Sequence, residues 1–199
     1  YNDSLILMYN FDNISSIGAN NTYVVDLSKY RNNGTFTGAT KYNCTTVKYG
    51  CAAEFASNDF INSSNAGSLD LGDSFSLSAW VYVSSHDPDY SFIIAKDGPS
   101  GGSYDLGFKN SKPYVAINDG AWGEYVTDTA LPTGEWHHLV GVRNSSDDLV
   151  IYVDGRINKT FSSVKSPQAV TTPLYIGRRA STDYEFVGLI DEVRIWNSS

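Results

Sequence analysis

Acidic residues that lie close together in the sequence are the first candidates for chemistry, because glycoside hydrolysis needs two carboxyl groups about 5 to 9.5 Å apart. The chain has two adjacent acidic pairs, Asp147-Asp148 and Asp191-Glu192. Neighbouring side chains on a strand point to opposite faces, so neither pair can share one cleft. The sequence therefore predicts a protein that is not an enzyme and has no catalytic residue.

Histidine gives no stronger support for metal chemistry. His137 and His138 are adjacent, so on a strand they face opposite sides and cannot easily hold one metal ion. His86 lies in a loop rich in Ser, Asp and Pro. We interpret Trp136-His137-His138 as packing of the core and of a sheet face, and we predict no zinc site.

The two cysteines, Cys44 and Cys51, are separated by six residues. A disulfide between them would close a small loop and stabilise the fold by roughly 2–3 kcal/mol. Two reduced thiols are the alternative, whereas metal binding is poorly supported because no His lies nearby. We favour the disulfide, which would place the chain in an oxidising compartment.

Asn-x-Ser/Thr sequons are more frequent than composition explains, since chance would give roughly three. Nine glycosylation acceptors are predicted: Asn2, Asn13, Asn20, Asn33, Asn43, Asn62, Asn144, Asn158 and Asn197. Such sites mark exposed loops of exported proteins. The alternative is a polar surface that is never modified. We expect an extracellular or cell-surface location.

The charge balance excludes several partners. The net charge is −8, and the 14 Lys and Arg form no basic stripe. Nucleic acid is therefore an unexpected partner, because phosphate contacts supply most of that affinity. An anionic membrane surface is disfavoured for the same reason. No run of 18 apolar residues occurs, so we predict no membrane insertion by this segment.

The elements that must position these residues are predicted to be strands. In Phe75–Val83, every second residue is apolar, while Trp80 and Tyr82 make part of the other face aromatic, so that this face is covered or used for binding. Asp154-Gly155 predicts a tight type I′ hairpin. Turns are predicted at 97–102, 118–123, 131–134 and 144–148. Further strands are predicted at 5–11, 52–55, 92–96, 104–109, 114–118, 136–142, 150–153, 156–161, 174–178 and 186–196.

About a dozen strands in 199 residues predict an all-β fold, a two-sheet antiparallel β-sandwich of the jelly-roll type. We expect residues 1–199 to form a single domain, cut from a longer surface or secreted protein.

Eight short motifs occur in an order and spacing that resemble the laminin-G-like jelly roll of the concanavalin A-like lectin/glucanase superfamily. They are Met8–Asp12, Asp26–Ser28 with Asn32–Thr35, Tyr49–Phe55, Phe75–Val81, Trp136–His138, Tyr152–Gly155, Ile176-Gly177 and Gly188–Val193. Each motif alone is weak. Together they are specific for the fold and not for a ligand.

This resemblance implies a structural calcium ion where the first strand, the early turn and the last strand converge. The matching positions are Asp12, Asp26, Asn33 and Asp191. Calcium takes 6–8 oxygen ligands of these kinds. In the alternative interpretation, Asp191 caps a hairpin or pairs with Arg194 and Asp26 starts a turn. A glycosylated Asn33 could not readily serve as a buried ligand.

The glucanase branch of the superfamily carries its acids as Glu-x-Asp-x-x-Glu or Glu-x-Asp-x-Glu, and neither string occurs here. The resemblance therefore implies non-catalytic recognition of carbohydrate or a glycosylated partner. We expect the ligand to bind at loops on the edge of the sandwich. The predicted ligand-binding residues in these loops are Trp122, Asp97, Tyr90, Tyr104, Arg178 and Tyr184. Trp122 lies among small residues and suits a stacking platform, the alternative being a loop Trp folded onto the sheet edge.

Two other functions stay open at this stage. One is a structural or adhesive surface module that makes only protein–protein contacts. The other, less favoured, is a fragment of a glycoside hydrolase.

Overall fold

Two eight-stranded antiparallel sheets form the computed structural model, which describes residues 3–38, 41–64, 66–98, 101–180 and 184–199. Sheet I contains, in spatial order, β14 (Arg156–Phe161), β13 (Leu149–Val153), β12 (Trp136–Arg143), β7 (Phe75–Ser85), β16 (Val187–Trp196), β5 (Ala52–Phe55) and β4 (Lys41–Asn43), with β1 (Leu5–Tyr9) also paired to β16. Sheet II contains β11 (Trp122–Val126), β10 (Lys112–Asn118), β9 (Gly101–Lys109), β8 (Tyr90–Gly98), β15 (Leu174–Ile176), β6 (Phe60–Ser63), β3 (Gly34–Thr37) and β2 (Tyr23–Val24). Short 3₁₀ helices occur at Ser15–Ile17 and Gly67–Leu69.

The two sheets pack face to face through alternate residues. On β7, Leu77, Ala79 and Val81 are fully buried, and from sheet II they are joined in one core by residues such as Leu106 and Val115. The predicted all-β sandwich and the alternation along Phe75–Val83 are therefore confirmed. No helix among the described residues is long and apolar enough to span a bilayer.

Several local predictions are also confirmed. Asp154 and Gly155 both have positive φ, 51° and 75°, as a type I′ hairpin requires. Cys44 and Cys51 form a disulfide. On β12, His137 is buried while His138 lies on the outer face, so the two rings point to opposite sides.

Strand boundaries were predicted less well. The segment 118–123, predicted as a turn, contains the start of β11, because Trp122 pairs with Asn118 across a very short connection. The strand predicted to reach Arg178 ends at Ile176, since Gly177 has φ +90° and a Cβ there would lie 2.5 Å from the Phe55 ring. Four short strands, β2, β3, β4 and β6, were not predicted.

Candidate functional site

The outer face of sheet II, where β8 to β11 run side by side, carries polar and aromatic residues that the core does not use. On β9, Tyr104, Leu106 and Phe108 point into the core, so Asp105 and Gly107, which alternate with them, point outward. On β10, Val115 and Ile117 point inward, which places Tyr114, Ala116 and Asn118 outward in the same way.

Strand register brings small residues together at the middle of this face. Asp105 is paired directly with Ala95 of β8 and with Ala116 of β10. The next row joins Gly107 to Phe92 and Tyr114. We call the floor formed by Ala95, Asp105 and Ala116 the Asp105 pit.

Aromatic rings line one side of the Asp105 pit. Phe92 and Tyr114 belong to a small outer cluster with Ala95 and Ala116. Tyr90 stacks on Phe92 with centroids 5.7 Å apart and contacts Tyr184 at 5.3 Å.

Two ion pairs lie around these rings. Arg179 Nη1 is 3.2 Å from Asp97 Oδ2, and the Arg179 guanidinium lies 5.0 Å from the Phe92 ring centroid. Lys109 pairs with Glu124. The Tyr90 hydroxyl donates to Glu124 Oε1 at 2.6 Å, so the second ion pair is tied to the aromatic side of the pit.

The carboxyl group of Asp105 is buried, and its Oδ1 atom has no hydrogen-bond partner among the described residues. Burial raises the pKa of Asp105 well above its usual range, and the charge of Asp97 raises it further, whereas the charge of Arg179 opposes the increase. A buried oxygen without a partner is costly in a folded protein. Such a group needs an explanation, and a ligand is one.

Trp122 borders the same face and is 39% exposed. A Cβ built on Gly102 would lie 2.5 Å from Trp122 Cζ2 and 2.5 Å from Asp97 Oδ1. The indole therefore rests against Gly102, beside the Asp97–Arg179 ion pair. Its position combines an accessible ring with nearby charged groups.

The structure brings together four of the six predicted ligand-binding residues. Trp122, Asp97, Tyr90 and Tyr184 all lie on or beside the outer face of β8 to β11. Arg178 lies apart from them, with its guanidinium 3.9 Å from the ring centroid of Phe60 on β6.

The prediction for Tyr104 is wrong. Its ring is fully buried in the core, and its hydroxyl donates to the Leu69 carbonyl at 2.9 Å. Sequence reasoning also missed Asp105 and Glu124. The apolar alternation Tyr104, Leu106, Phe108 was the available signal, because it assigns Asp105 to the outer face.

A family model described as the Concanavalin A-like lectin/glucanases superfamily matches residues 55–199. The chain belongs to this superfamily. The resemblance seen in the sequence motifs is thereby confirmed, and the jelly-roll sandwich is the fold expected of a member.

Solved structures share this superfamily fold at low sequence identity. Domain 4 of AbnA, a GH43 extracellular arabinanase from Geobacillus stearothermophilus in complex with arabinotriose, is 20% identical with a TM-score of 0.74, covering 97% of this chain and 92% of that one. The receptor binding domain of botulinum neurotoxin C/D mosaic serotype is 17% identical with a TM-score of 0.76, covering 100% of this chain and 49% of that one. The binding domain of Paraclostridial Mosquitocidal Protein 1 is 13% identical with a TM-score of 0.78, covering 99% and 49%.

The chain thus spans about half the length of these two toxin binding domains. At these identities the likeness concerns the fold alone. No curated protein gives a significant match.

The calcium ligands implied by the superfamily resemblance fit only in part. The two Asp26 carboxylate oxygens accept four hydrogen bonds, from Met8 N, Ser28 N, Ser28 Oγ and Asn32 N, at 2.7 to 2.9 Å. These contacts use all the acceptor positions of the carboxylate. Asn33 Oδ1 accepts from Asp26 N at 2.8 Å. Asp26 and Asn33 therefore close a turn, and Asp26 has no acceptor position left for a metal ion.

The other two implied ligands remain compatible with a cation. Burial raises the pKa of Asp191 to about 7, and the charges of Glu192 and Asp12 contribute to the increase. Arg194 pairs with Glu192, not with Asp191. No cluster of three or more His, Cys, Asp or Glu suited to a metal occurs among the described residues. Calcium at Asp12 and Asp191 stays a prediction.

The predicted glycosylation acceptors differ in accessibility. Asn13 and Asn158 are exposed, as are Asn20 and Asn197. The side chains of Asn20 and Asn197 already accept backbone hydrogen bonds, from Thr22 and Gly72. Acceptors that are only partly exposed are Asn33, Asn43, Asn62 and Asn144. Asn2 lies outside the described residues.

A concave region lies on the outer face of sheet I. It encloses about 380 Å³ next to His138, Arg194 and Trp196. His138 stacks on Trp80 at 4.9 Å, and its Nε2 is hydrogen-bonded to Ser78 Oγ at 2.9 Å. These polar atoms already have partners within the fold, so this face shows less need of a ligand than the Asp105 pit.

Proposed function

We propose that the chain is a non-catalytic recognition domain that binds carbohydrate, free or on a glycoprotein, at the outer face of β8 to β11. Sugars are held by apolar contact with aromatic rings and by hydrogen bonds from groups fixed in advance. The observation that carries the proposal is the position of the exposed Trp122 beside the Asp97–Arg179 ion pair. Tyr90 and Tyr184 extend the aromatic surface along the same face.

The environment of the acidic residues supports binding without turnover. Asp97 is held by Arg179, and Glu124 is held by Lys109 and Tyr90. A carboxylate held in an ion pair is a poor proton donor because the pair stabilises its charged form. The pKa of Glu124 is lowered accordingly, chiefly by its hydrogen bonds to Lys109 and Tyr90 acting against the effect of burial.

Residues 98–102 read Gly-Pro-Ser-Gly-Gly and so match the nucleophile pattern Gly-x-Ser-x-Gly. That pattern has its catalytic meaning where a strand turns sharply into a helix. Here the string joins two antiparallel strands, with Gly98 of β8 paired to Gly101 of β9. The strand-to-helix context is missing, which again favours a binding role.

The disulfide and the exposed sequons support an extracellular or cell-surface location. Structural disulfides persist mainly in oxidising compartments. Asn13 and Asn158 offer exposed acceptors that make no hydrogen bond within the described structure. Enzymatic deglycosylation of protein secreted from eukaryotic cells, followed by intact-mass measurement, would test this location; an unchanged mass counts against glycosylation.

The function is tested by screening a glycan array and then titrating the hits by calorimetry with wild type, Trp122→Ala and Trp136→Ala. Trp136 lies on the outer face of sheet I and serves as the matched control. We expect binding to be lost in Trp122→Ala and kept in Trp136→Ala. A protein partner without any glycan binding would favour the adhesive function instead, and turnover of a glycan would favour an enzyme.

A further inference from the structure

We propose that Asp105 determines the class of ligand at this face: its carboxyl group hydrogen-bonds a hydroxyl of an uncharged sugar and disfavours sugars that carry a carboxylate or sulfate there. This inference rests on the proposed function, because it concerns the same face. It adds the chemical class of the ligand and the residue that selects it.

The first argument is the position of Asp105. It lies between Ala95 and Ala116, the smallest side chains of this face apart from glycine, and Gly107 follows two residues along β9. These neighbours offer no hydrogen-bonding side chain, and none of them bonds to Oδ1, which is itself buried. Buried side-chain oxygens are normally paired. A ligand hydroxyl would supply the missing partner.

The second argument is the charge around the Asp105 pit. Asp97 of β8 and Glu124 of β11 are acidic, whereas Lys109 of β9 and Arg179 after β15 are basic. The outward residues of β10 at this level, Tyr114, Ala116 and Asn118, carry no charge near neutral pH. Each of the two cations is already paired with one of the two carboxylates. An anionic sugar would therefore meet carboxyl groups without gaining a free cation there.

The third argument is the protonation of Asp105. Burial and the nearby Asp97 raise its pKa, so the neutral acid is favoured beyond its usual pH range. A neutral carboxyl group donates a hydrogen bond through its hydroxyl and accepts one through its carbonyl oxygen. A sugar hydroxyl can likewise donate and accept, so the two groups can pair. Asparagine keeps a donor and an acceptor in the same shape, whereas alanine removes both.

Asp105 is only 2% exposed, so a ligand reaches Oδ1 only if a side chain beside it moves, and we assign this movement to Arg179, whose charge acts on Asp105. Its guanidinium contacts Asp97 and Phe92, and its side chain is about a quarter exposed. The stem of a partly exposed long side chain changes rotamer readily while its charged end keeps its ion pair. A ligand that shifts the Arg179 stem, with the ion pair to Asp97 kept, would reach Oδ1 while its ring contacts Tyr90 and Tyr184.

Calorimetry with wild type, Asp105→Asn and Asp105→Ala tests the inference. The uncharged probes are arabinotriose, cellotriose and lactose, and the anionic probes are trigalacturonic acid and 3′-sialyllactose. We expect wild type to bind at least one uncharged sugar and neither anionic one. Asp105→Asn should stay within about threefold of wild type, and Asp105→Ala should lose about tenfold in affinity, the effect of one net hydrogen bond.

Because Asp105 Oδ1 has no partner, Asp105→Ala strands no other group and is expected to fold, which circular dichroism would check. An anionic sugar bound as tightly as an uncharged one overturns the inference. So does uncharged-sugar binding that survives Asp105→Ala but not Trp122→Ala, which leaves the proposed function standing. If none of the five sugars and no array glycan binds, the proposed function is rejected, and this inference is rejected with it.

Discussion

Arg179 forms an ion pair with Asp97 between two segments that are 82 residues apart, with Nη1 and Oδ2 separated by 3.2 Å. Asp97 is nearly buried, at 4% exposed, so its charge is less stabilised when this partner is removed. We predict that Arg179→Met lowers the free energy of unfolding by about 1–3 kcal/mol, less than the loss from breaking a fully buried pair because Arg179 is partly exposed.

A double-mutant cycle measured by urea unfolding checks this prediction. The double variant Asp97→Asn/Arg179→Met should lose less stability than the sum of the two single losses, because the pair is then removed from both sides. Arg178→Met is the matched control, since Arg178 forms no ion pair in the described part of the chain. Strict additivity of the two losses would contradict the pairing.

Gly102 determines where the Trp122 indole lies. A Cβ at this position would lie 2.5 Å from Trp122 Cζ2, so Gly102→Ala must displace the ring or the strand beneath it. We predict a shift in tryptophan fluorescence and about a tenfold loss of sugar affinity, since stacking geometry is worth about 1 kcal/mol or more. Gly67→Ala, where a Cβ would meet nothing within 4 Å, should change neither quantity. Unchanged fluorescence in Gly102→Ala would contradict this packing.

The sequence predicted the sandwich and much of the site because both depend on local alternation. Trp122, Asp97 and Tyr90 were chosen by residue type and nearby turn signals, and they do share one face. Tyr104 was assigned to the wrong side, because its ring alternates with Asp105 and shares the inward face with Leu106. A shift of one residue moves a side chain to the opposite face of a sheet, and here it separates Tyr104 from Asp105.

The remaining features depend on contacts that a single sequence does not show. The Arg179–Asp97 pair exists because β15 lies beside β8 in the sheet order, although the two strands are distant in sequence. The strands β2, β3, β4 and β6 are two to four residues long, and pairing with neighbouring strands forms them. Tertiary context of this kind regularly overrides local propensity.

The Cys44–Cys51 disulfide should contribute a modest amount of stability. Its loop is short, so the chain-entropy estimate is about 2–3 kcal/mol. We predict that a reducing agent lowers the urea midpoint of wild type by the corresponding amount. The double variant Cys44→Ser/Cys51→Ser should have, with and without the reducing agent, the same low midpoint as reduced wild type. A midpoint that is equal with and without the reducing agent would show that the disulfide adds no stability.

The calcium prediction is tested by thermal unfolding in a chelator and in millimolar calcium, with magnesium as the control ion. If Asp12 and Asp191 hold calcium, it should raise the melting temperature of wild type because only the folded state binds it. Asp12→Asn and Asp191→Asn should remove this increase. Asp26→Asn should have a lower melting temperature than wild type in every buffer, because Asp26 accepts four hydrogen bonds within the fold. Calcium should still raise the melting temperature of this variant. A wild-type melting temperature that ignores calcium counts against the ion.

Asp105 should make the stability of the protein fall as pH rises. Its pKa is higher in the folded state than in the unfolded chain, so the folded state binds the proton more tightly. Stability from this group is therefore present below the unfolded pKa of about 3.9 and is lost as pH rises through the folded value, at about 1.4 kcal/mol for each unit of the difference. Asp105→Asn cannot ionise, so its advantage over wild type in free energy of unfolding should grow from pH 4.5 to pH 7.5.

Urea unfolding of both proteins at several pH values and constant ionic strength measures this difference. Asp119 provides a control of opposite sign, because its hydrogen bond and charge interaction with Lys165 lower its pKa. Asp119→Asn should therefore lose stability relative to wild type as pH rises towards about 4, and the loss should stay constant from pH 4.5 to pH 7.5. Parallel curves for wild type and Asp105→Asn would mean that Asp105 titrates as it does in the unfolded chain, and the Asp105 pit would then be open to water.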